Sequence, residues 1–542
     1  ELAMLNLKAG EKAMSLATFL ISASYLKAGI GMLCEGHWEK YYDLSLQLHN
    51  LYAEAEYCNG CFHEVGHITG VVIKRAKSFE NKLRVYAILI KSLAAQNRLQ
   101  DAMQIGFNVL TTLGVQCPSS PSDRSDVMRD IMEIKMTLTK TTDDEILNYR
   151  EMKDDDTITA MKFLQLLTVF AYFGKQQYYA ILHIKMVQLT LRHGVCKESC
   201  FAMASFSFLL CQFDDFKASN HIGHLSVVLL ERCKAEEYRC YIHMLYYGTT
   251  KCWTMHIKLS LEKLLQGYQV GMQTGNIENA MLNAYNYLVN SFICGRNLVE
   301  LERELDSFGG TMMDYKQMVT HNLICVIKKF VSNLLMSNDC PSLIGDQNSE
   351  QQDLLERATK ENDTMLICKI YIFGIIEAYI FGEYELAADM IRKKHEVEKK
   401  LSRKTTFYGL TDFYDGLVFL AMTRKTNDMK WMSEASKAMS KLESHVQYGK
   451  ANCEHKLLLL QAESKSLLGE NQDAFRKYEL SIAVAEKNGF IHEQAIANER
   501  LGDFLQKNGG TGASQYYGIS NSLYLQWGAQ GKADHLCKNI PF

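Results

Sequence analysis

Proline is almost absent from this chain, and its scarcity constrains the fold more than any other sequence feature. The 542 residues contain four prolines: Pro118, Pro121, Pro341 and Pro541. Proline interrupts α-helices because it lacks a backbone N–H and its ring clashes with the preceding turn. The long proline-free stretches are rich in Ala, Leu, Met, Lys and Glu, which favour helices. We therefore expect an all-α fold.

Apolar residues in these stretches recur at helical spacing on both sides of short polar turns. Leu83, Tyr86, Ile90 and Ala94 share one helix face, and a polar turn follows at 96–98. A second amphipathic segment then runs to Gly114, which has the position of a helix C-cap glycine. The pattern predicts a helical hairpin.

Similar turns follow one another along the chain, at separations of about 37–45 residues or multiples and fractions of that length, as in helical repeat proteins. They are predicted at 59–60, 174, 214–215, 275–276, 382–383, 427–428, 469–471 and 508–510. The best match to a TPR unit is 456–488. There Ala462 can admit a neighbouring helix, and Ala474, Tyr478 and Ser481 have small–aromatic–small spacing. We predict TPR-like helical-hairpin repeats stacked into a curved α-solenoid; the alternative is a helical bundle with chance spacing.

The polar composition of three segments predicts interruptions of this array. They lie at 117–126, at 153–156 and at 338–352, the last of which is rich in Asn, Asp, Gln and Ser. We place a linker at 341–352 between an N-terminal array, 1–340, and a C-terminal array, 353–542. The chain begins at Glu1 rather than at methionine, and we expect further residues upstream.

Charge and hydropathy argue against two classes of partner. The net charge is −3, and no basic stripe of the kind that binds nucleic acid is present. The longest apolar runs, 163–174 and 201–213, have about a dozen residues, whereas a membrane span needs about 20. The 16 cysteines are scattered through the chain, as in a protein of a reducing cytoplasm. We expect cytoplasmic localisation, no nucleic-acid partner and no membrane span.

One motif has the letters of a catalytic site. His63-Glu64-Val65-Gly66-His67 matches H-E-x-x-H, which on a helix can place two imidazoles on zinc with Glu64 as general base. The third histidine of the extended pattern would fall at Ile73. Cys58 and Cys61 lie just upstream, but such closely spaced ligands lack a second loop to complete a tetrahedron. We predict no metal, no cofactor and no catalytic residue.

Other searches for chemistry give structural interpretations. The sequence has no phosphate-binding P-loop, no nucleophile elbow and no kinase catalytic-loop pattern. The chain has four histidines on segments predicted to be helical, which we interpret as structural: His221, His224, His243 and His256. Aromatic residues such as Tyr246, Tyr247, Trp253 and Tyr268 recur at helical intervals, which indicates packing between helices.

Several stretches resemble the TPR-like helical region of large multi-sensor kinases and of predicted AAA or STAND ATPases related to LuxR and MalT-type regulators. The resembling segments are 41–62, 82–121, 261–304, 492–505 and 515–536, the last with Tyr524, Trp527-Gly528-Ala529 and Lys532. The chain departs from the family pattern at Tyr149-Arg150, before Met152-Lys153-Asp154, and at Asn276. The resemblance implies a diverged helical arm that carries none of the family's catalytic residues.

The resemblance also implies a function. In that family the helical region adjoins nucleotide-binding ATPase or kinase domains of the same polypeptide. We therefore expect a non-catalytic interaction and regulatory segment of a signal-transduction ATPase or kinase, with protein partners that include those neighbouring domains. Two alternatives remain: a zinc metallopeptidase that uses His63 and His67, and a stand-alone sensor of a small ligand.

Overall fold

The fold is described by a computed structural model over residues 1–117, 124–174, 176–336, 350–401 and 407–540. Within these ranges the chain forms 27 α-helices and no β-strand. The one extended pairing among these residues is an isolated bridge between Glu151 and Val195. The predicted all-α fold is confirmed.

The chain divides into two compact units, Glu1–Ala202 and Met203–Phe542, which we call unit 1 and unit 2. Unit 2 includes residues on both sides of the predicted linker at 341–352, of which only 350–352 are described. The predicted division into arrays at 1–340 and 353–542 stays a prediction.

Twelve helices begin in unit 1, and the last of them ends in unit 2. They are α1 (Leu2–Ser15), α2 (Phe19–Gly31), α3 (His37–Lys40), α4 (Tyr42–Cys58), α5 (Phe62–Arg75), α6 (Glu80–Ala95), α7 (Leu99–Thr112), α8 (Arg124–Leu138), α9 (Asp143–Leu147), α10 (Asp155–Gly174), α11 (Gln176–His193) and α12 (Lys197–Gln212).

The remaining helices belong to unit 2. They are α13 (Phe216–Arg232), α14 (Glu236–Leu245), α15 (Leu261–Thr274), α16 (Ile277–Ile293), α17 (Leu298–Asp314), α18 (Met318–Leu335), α19 (Glu350–Glu361), α20 (Thr364–Ile380), α21 (Tyr384–Glu398), α22 (Leu410–Thr426), α23 (Met429–Leu467), α24 (Asn471–Asn488), α25 (Ile491–Lys507), α26 (Ala513–Trp527) and α27 (Gln530–Asn539). A π-helical turn, Tyr246–Thr250, and two 3₁₀ turns, Lys251–Trp253 and Ile257–Ser260, separate α14 from α15.

Helices joined by short turns pack against each other within each unit. In unit 1 these pairs are α1–α2, α4–α5, α6–α7 and α10–α11, and in unit 2 they include α15–α16, α20–α21, α22–α23 and α25–α26. Gly114 follows the end of α7 with a φ of 78°, so the predicted C-cap is confirmed. The hairpins are therefore present, and their packing is compatible with the predicted solenoid.

The predicted interruptions at 153–156 and 117–126 differ in how far the structure describes them. Residues 152–154 belong to the non-helical connection between α9 and α10, so the first half of the predicted interruption at 153–156 is confirmed. The second half is wrong, because Asp155 and Asp156 are the first residues of α10. Residues 118–123, in contrast, lie outside the described residues. In the ranges that the structure describes, no helix combines the length and the apolar character needed to cross a membrane.

The C-terminal hairpins repeat one set of contacts. The Tyr478 hydroxyl donates to the Glu463 carboxylate, and the Ser481 hydroxyl donates to the backbone carbonyl of His455. About 40 residues further on, a typical length for helical-hairpin repeats, Tyr517 donates to Asp503 and Ser520 donates to the carbonyl of Ala495. The small–aromatic–small spacing predicted for α24 is thus used again in α26.

Candidate functional site

The H-E-x-x-H motif lies on α5, directly after the turn that ends α4. His63 and His67 are exposed, one helical turn apart, and Cys58 and Cys61 are exposed at the turn. The opposite face of α5 is buried in unit 1. The cysteines and histidines predicted as an alternative site therefore sit at the surface.

The remaining residues of the motif have structural contacts. Glu64 accepts a hydrogen bond from the hydroxyl of Tyr52, at 3.2 Å. Ile73, which stands at the third-ligand position, packs beside Trp38 and Val72 in a small apolar cluster. Among the residues described, no group of three or more His, Cys, Asp or Glu side chains could hold a metal ion. The structure does not bring together the donor set that a catalytic zinc needs.

A small-ligand sensor would need an enclosed, mostly apolar pocket. In unit 1 a hollow of about 740 Å³ lies beside α9. It is lined by Thr137, Lys140, Thr141, Glu145, Asn148, Tyr149 and Arg150. The hollow opens widely to the surface, so it lacks the enclosure that a small-ligand site usually has.

Four buried ionisable side chains lie together around Glu493, which is in the first turn of α25. Its Oε2 atom lies 2.9 Å from the Lys456 ammonium and accepts a hydrogen bond from Nε2 of His455. His492 lies on the other side, with Nε2 3.8 Å from Oε1 of Glu493. All four side chains are about 1% exposed. We call these four residues the Glu493 cluster.

Opposing effects determine the protonation of this cluster. Burial on its own raises the pKa of Glu493, but Lys456 and His455 outweigh it and hold that pKa well below its usual range. Burial lowers the pKa of His455, and Lys456 lowers it further. Burial also lowers the pKa of His492 to about 4. At neutral pH the cluster is therefore one Lys–Glu ion pair flanked by two neutral imidazoles.

The position of Glu493 on its helix helps to stabilise its charge. It lies in the first turn of α25, where unpaired N–H groups favour an anion. Lys456, on α23, also donates to the backbone carbonyl of Asn452 at 2.6 Å. The Lys456 ammonium lies 4.8 Å from the centre of the Phe490 ring, which stacks on His455. The ion pair is thus enclosed by aromatic and backbone groups.

Asn452 connects the middle of α23 to the irregular segment 251–260. Its amide nitrogen donates to the carbonyls of Cys252 and Met255, both at 2.7 Å. Its amide oxygen accepts from the N–H of Ile257, at 3.1 Å. Asn452 is buried, so one side chain satisfies three backbone groups that the interrupted helix leaves without helical partners.

His256 shows where the sequence prediction was wrong. It was expected on a helix, but it lies in the connection between the two 3₁₀ turns of this segment. Its Nε2 bonds to the carbonyl of Asn488 at the end of α24, at 2.9 Å. The helical prediction failed because the segment exchanges its own helical hydrogen bonds for contacts with Asn452 and Asn488, which are remote in sequence.

Glycine makes the close approach of this segment possible. At Gly449 the backbone of α23 leaves the helical conformation, with φ −119° and ψ 50°. A Cβ atom placed there would lie 2.5 Å from the carbonyl oxygen of Trp253. The Trp253 ring stacks on Phe216, with the ring centres 4.2 Å apart. A side chain at position 449 would displace this backbone contact.

Two further carboxylates are buried between the C-terminal helices. Glu499 on α25 pairs with Lys532 on α27 at 2.9 Å and accepts from the hydroxyl of Tyr524 on α26 at 2.7 Å. Burial raises the pKa of Glu499, but the charges of Lys532 and Arg500 and the hydrogen bonds from Lys532 and Tyr524 together outweigh burial, so the net pKa shift is downward. The charge of this buried carboxylate is thus compensated by side chains from α26 and α27.

Glu463 makes the corresponding link one hairpin earlier. Its carboxylate on α23 lies 2.7 Å from the guanidinium of Arg424 on α22 and accepts from Tyr478 on α24 at 2.8 Å. The Glu493, Glu499 and Glu463 clusters together join α22 to α27 in sequence order. We call these three groups the buried ties.

Sequence reasoning missed the buried ties for a physical reason. Charged residues are rarely buried unless they are paired, and their partners lie on other helices. Tyr478 was predicted to pack, which is confirmed because it is buried. A signal was available for the Glu463 group alone, because an acidic residue precedes a Tyr by about 15 residues both in Glu463–Tyr478 and in Asp503–Tyr517.

Comparison with known proteins adds no identification. No known family model matches the chain. No curated protein matches it either.

Proposed function

We propose that this chain is a non-catalytic protein-interaction and regulatory segment of a signal-transduction ATPase or kinase, which couples the binding of a partner or ligand to an attached nucleotide-binding domain. One observation carries the non-catalytic part of the proposal. In unit 2 the buried carboxylates of Glu463, Glu493 and Glu499 are each paired with a basic side chain of another helix. The attached domain is inferred from the family resemblance of the sequence.

The buried ties suggest how such a segment transmits a signal. Separating a buried charge from its partner costs roughly 3–5 kcal/mol, because the remaining charge is left without compensation. Helices α22 to α27 should therefore move together when a partner binds. A displacement at one hairpin would then reach the last hairpin instead of being lost in local rearrangement.

The peptidase alternative has less support. His63 and His67 are exposed on one face of α5, but Ile73 is packed in an apolar cluster where a third ligand would be needed. Glu64 contacts Tyr52. A zinc ion bound by His63 and His67 would lack the third protein ligand that catalytic zinc sites have.

The test is nucleotide turnover by three proteins: the full-length polypeptide, a form that lacks residues 1–542, and this chain alone. We expect no turnover by the chain alone, and we expect its removal to change the rate in the full-length protein or the response of that rate to a partner. Turnover by the chain alone, or an unchanged rate and response after its removal, contradicts the proposal.

A second arm tests the buried ties within the full-length protein. Glu499→Gln leaves Lys532 without its full counter-charge, so we expect it to weaken the coupling between partner and turnover. Glu434→Gln is the matched control because it removes an exposed pair with Lys437, at 2.8 Å. Equal coupling in both variants would show that the ties do not transmit the signal.

A further inference from the structure

The outer face of the first hairpin carries an unusual concentration of exposed apolar side chains. Eight of the 27 large apolar residues that are exposed in the described part of the chain lie within residues 2–32. They are Leu2, Met4, Leu5, Leu16, Leu20, Ile21, Tyr25 and Met32. Exposed apolar residues gathered in this way mark interaction sites, whereas single ones need no explanation.

Helical spacing arranges most of these side chains as two stripes. Leu2 and Leu5 share one face of α1, and Leu16, the residue after that helix, extends the stripe. Ile21 and Tyr25 share one face of α2, and Met32, the residue after that helix, extends the second stripe. The amide of Asn6 lies 3.4 Å from the sulfur of Met32, and it also donates to the carbonyl of Leu2. Because α1 and α2 pack against each other, we interpret the two stripes as the borders of one groove between these helices, which we call the outer groove.

The chain itself shows what such a groove accepts. Helix α4 packs against both α1 and α2 on their buried side, and helix α6 packs against both α4 and α5 in the same way. Close approach at the first of these contacts depends on Gly29, where a Cβ atom would lie 3.0 Å from the Leu48 side chain of α4. A helix laid across a hairpin is thus the packing mode that this fold uses repeatedly.

Basic residues flank the outer groove. Lys8 and Lys12 are exposed beside the α1 stripe, and Lys27 is exposed on α2, on the face turned away from the α2 stripe. None of these three ammonium groups has an ion-pair partner among the residues for which contacts are described. Glu1, which precedes α1, lies on the same side as Lys8 and Lys12, whereas Glu11 is turned further from the groove. Two lysines and one glutamate thus lie beside the α1 stripe, and their net positive charge favours an acidic partner.

We propose that the outer groove binds an amphipathic α-helix of a partner protein, with Leu, Ile or Met on its apolar face and Glu or Asp on its polar flanks. This is the helix-in-groove mode of recognition, in which apolar anchors at i, i+3 or i+4, and i+7 supply the contact area. The inference rests on the proposed interaction function and names the partner class and the surface that it uses.

The test uses two synthetic helical peptides of 18 residues with the same Leu/Ile face, one with Glu on the polar flanks and one with Lys. We expect the Glu peptide to bind with a Kd below about 100 µM, which corresponds to a clearly favourable binding free energy. The Lys peptide should bind at least about tenfold more weakly, and higher salt should reduce this difference.

Two variants identify the surface. The double variant Leu5→Asp/Ile21→Asp should weaken Glu-peptide binding at least about 100-fold, because it places charge in the apolar contact. The triple variant Lys8→Glu/Lys12→Glu/Lys27→Glu should reverse the preference between the peptides. The control Leu468→Asp introduces the same charge at an exposed apolar position in unit 2 and should change neither affinity.

The remaining outcomes decide against the proposal. It is overturned if the Glu peptide does not bind at 100 µM, or if it binds equally to the Leu5→Asp/Ile21→Asp variant. Sedimentation that shows a dimer lost in that variant would assign the groove to a second copy of the chain. All changed positions are exposed, so circular dichroism should show unchanged helicity. Nucleotide turnover is measured separately, so its failure and the failure of the groove remain distinguishable.

Discussion

The Lys456 ammonium and the Glu493 carboxylate lie 2.9 Å apart with both side chains about 1% exposed. The pair joins the second half of α23 to the first turn of α25. Removing two charges from water is unfavourable, so such a pair contributes little net stability by itself. Its significance is that neither charge can be removed alone without leaving the other buried and uncompensated.

We predict that Glu493→Gln destabilises unit 2 by about 3–5 kcal/mol at pH 7, the usual effect of breaking a buried pair. The measurement is urea denaturation followed by tryptophan fluorescence, since Trp253, Trp431 and Trp527 all lie in unit 2. The control Glu434→Gln should change stability by less than about 1 kcal/mol. The double variant Lys456→Met/Glu493→Leu should recover most of the loss, and failure to recover would show that the pair acts through more than charge balance.

A second prediction concerns acid. The folded state holds the pKa of His492 at about 4, below the ordinary value of 6.5. Between these two pH values the unfolded chain binds a proton that folded His492 does not, so stability falls as pH decreases, by up to about 1.4 kcal/mol per pH unit. Glu493 also makes stability fall as the pH decreases, but only below the ordinary glutamate pKa of 4.5.

His492→Phe should therefore flatten the loss of stability between pH 6.5 and 4 while retaining the aromatic stack on Trp527, which lies 5.1 Å away between ring centres. Denaturation midpoints measured at several pH values check this. Some dependence should remain, because burial also lowers the pKa of His243 to about 4. Exposed His63→Gln serves as the control, and an equal slope in wild type and His492→Phe would contradict the prediction.

The third prediction concerns the kink in α23. Gly449→Ala should destabilise unit 2 by about 1–3 kcal/mol, a typical effect of overpacking, because the new Cβ would meet the Trp253 carbonyl. Gly518→Ala, in the middle of α26, is the matched control because a Cβ there meets nothing within 4 Å. That substitution should be neutral or stabilise by up to about 1 kcal/mol, since glycine is unfavourable inside a helix. Equal effects would mean that the Trp253 contact does not require glycine.

The fourth prediction is that protein purified without chelator contains no stoichiometric zinc. Cys58, Cys61, His63 and His67 are exposed, and Ile73 occupies the third-ligand position of the motif. Elemental analysis checks this directly, with a peptidase assay of wild type and His67→Ala as a second readout. About one zinc per chain that disappears in His63→Ala would contradict the prediction.

Local signals in the sequence were sufficient to predict the hairpins. Positions such as Asn97, Gly114 and Gly275 have positive φ at the ends of helices, where short polar turns and glycine were expected. Scarcity of proline and helical spacing of apolar residues then left few alternatives to an all-α fold. These features depend on neighbouring residues, and for that reason one sequence reveals them.

The buried ties and the break after α14 depend instead on partners remote in sequence. In the sequence alone Lys456 and Glu493 resemble ordinary surface residues, because no local pattern shows that α23 and α25 pack side by side. The sequence predicted that His256 lies on a helix, but the contacts of Asn452 and Gly449 favour an interruption between α14 and α15. A local sequence pattern cannot reveal ion pairs or helix interruptions that depend on tertiary contacts.

The contacts of Asn452 have a consequence for synthesis on the ribosome. The Cys252 carbonyl, which Asn452 satisfies, precedes it by 200 residues. At about 5–20 residues per second, that interval takes roughly 10–40 s. Neighbouring hairpins can form during this time. The backbone groups of residues 251–260 that bond to Asn452 stay without that partner until Asn452 has been synthesised. The nascent chain therefore passes through a period in which its early helices are folded and the centre of unit 2 is open to chaperones.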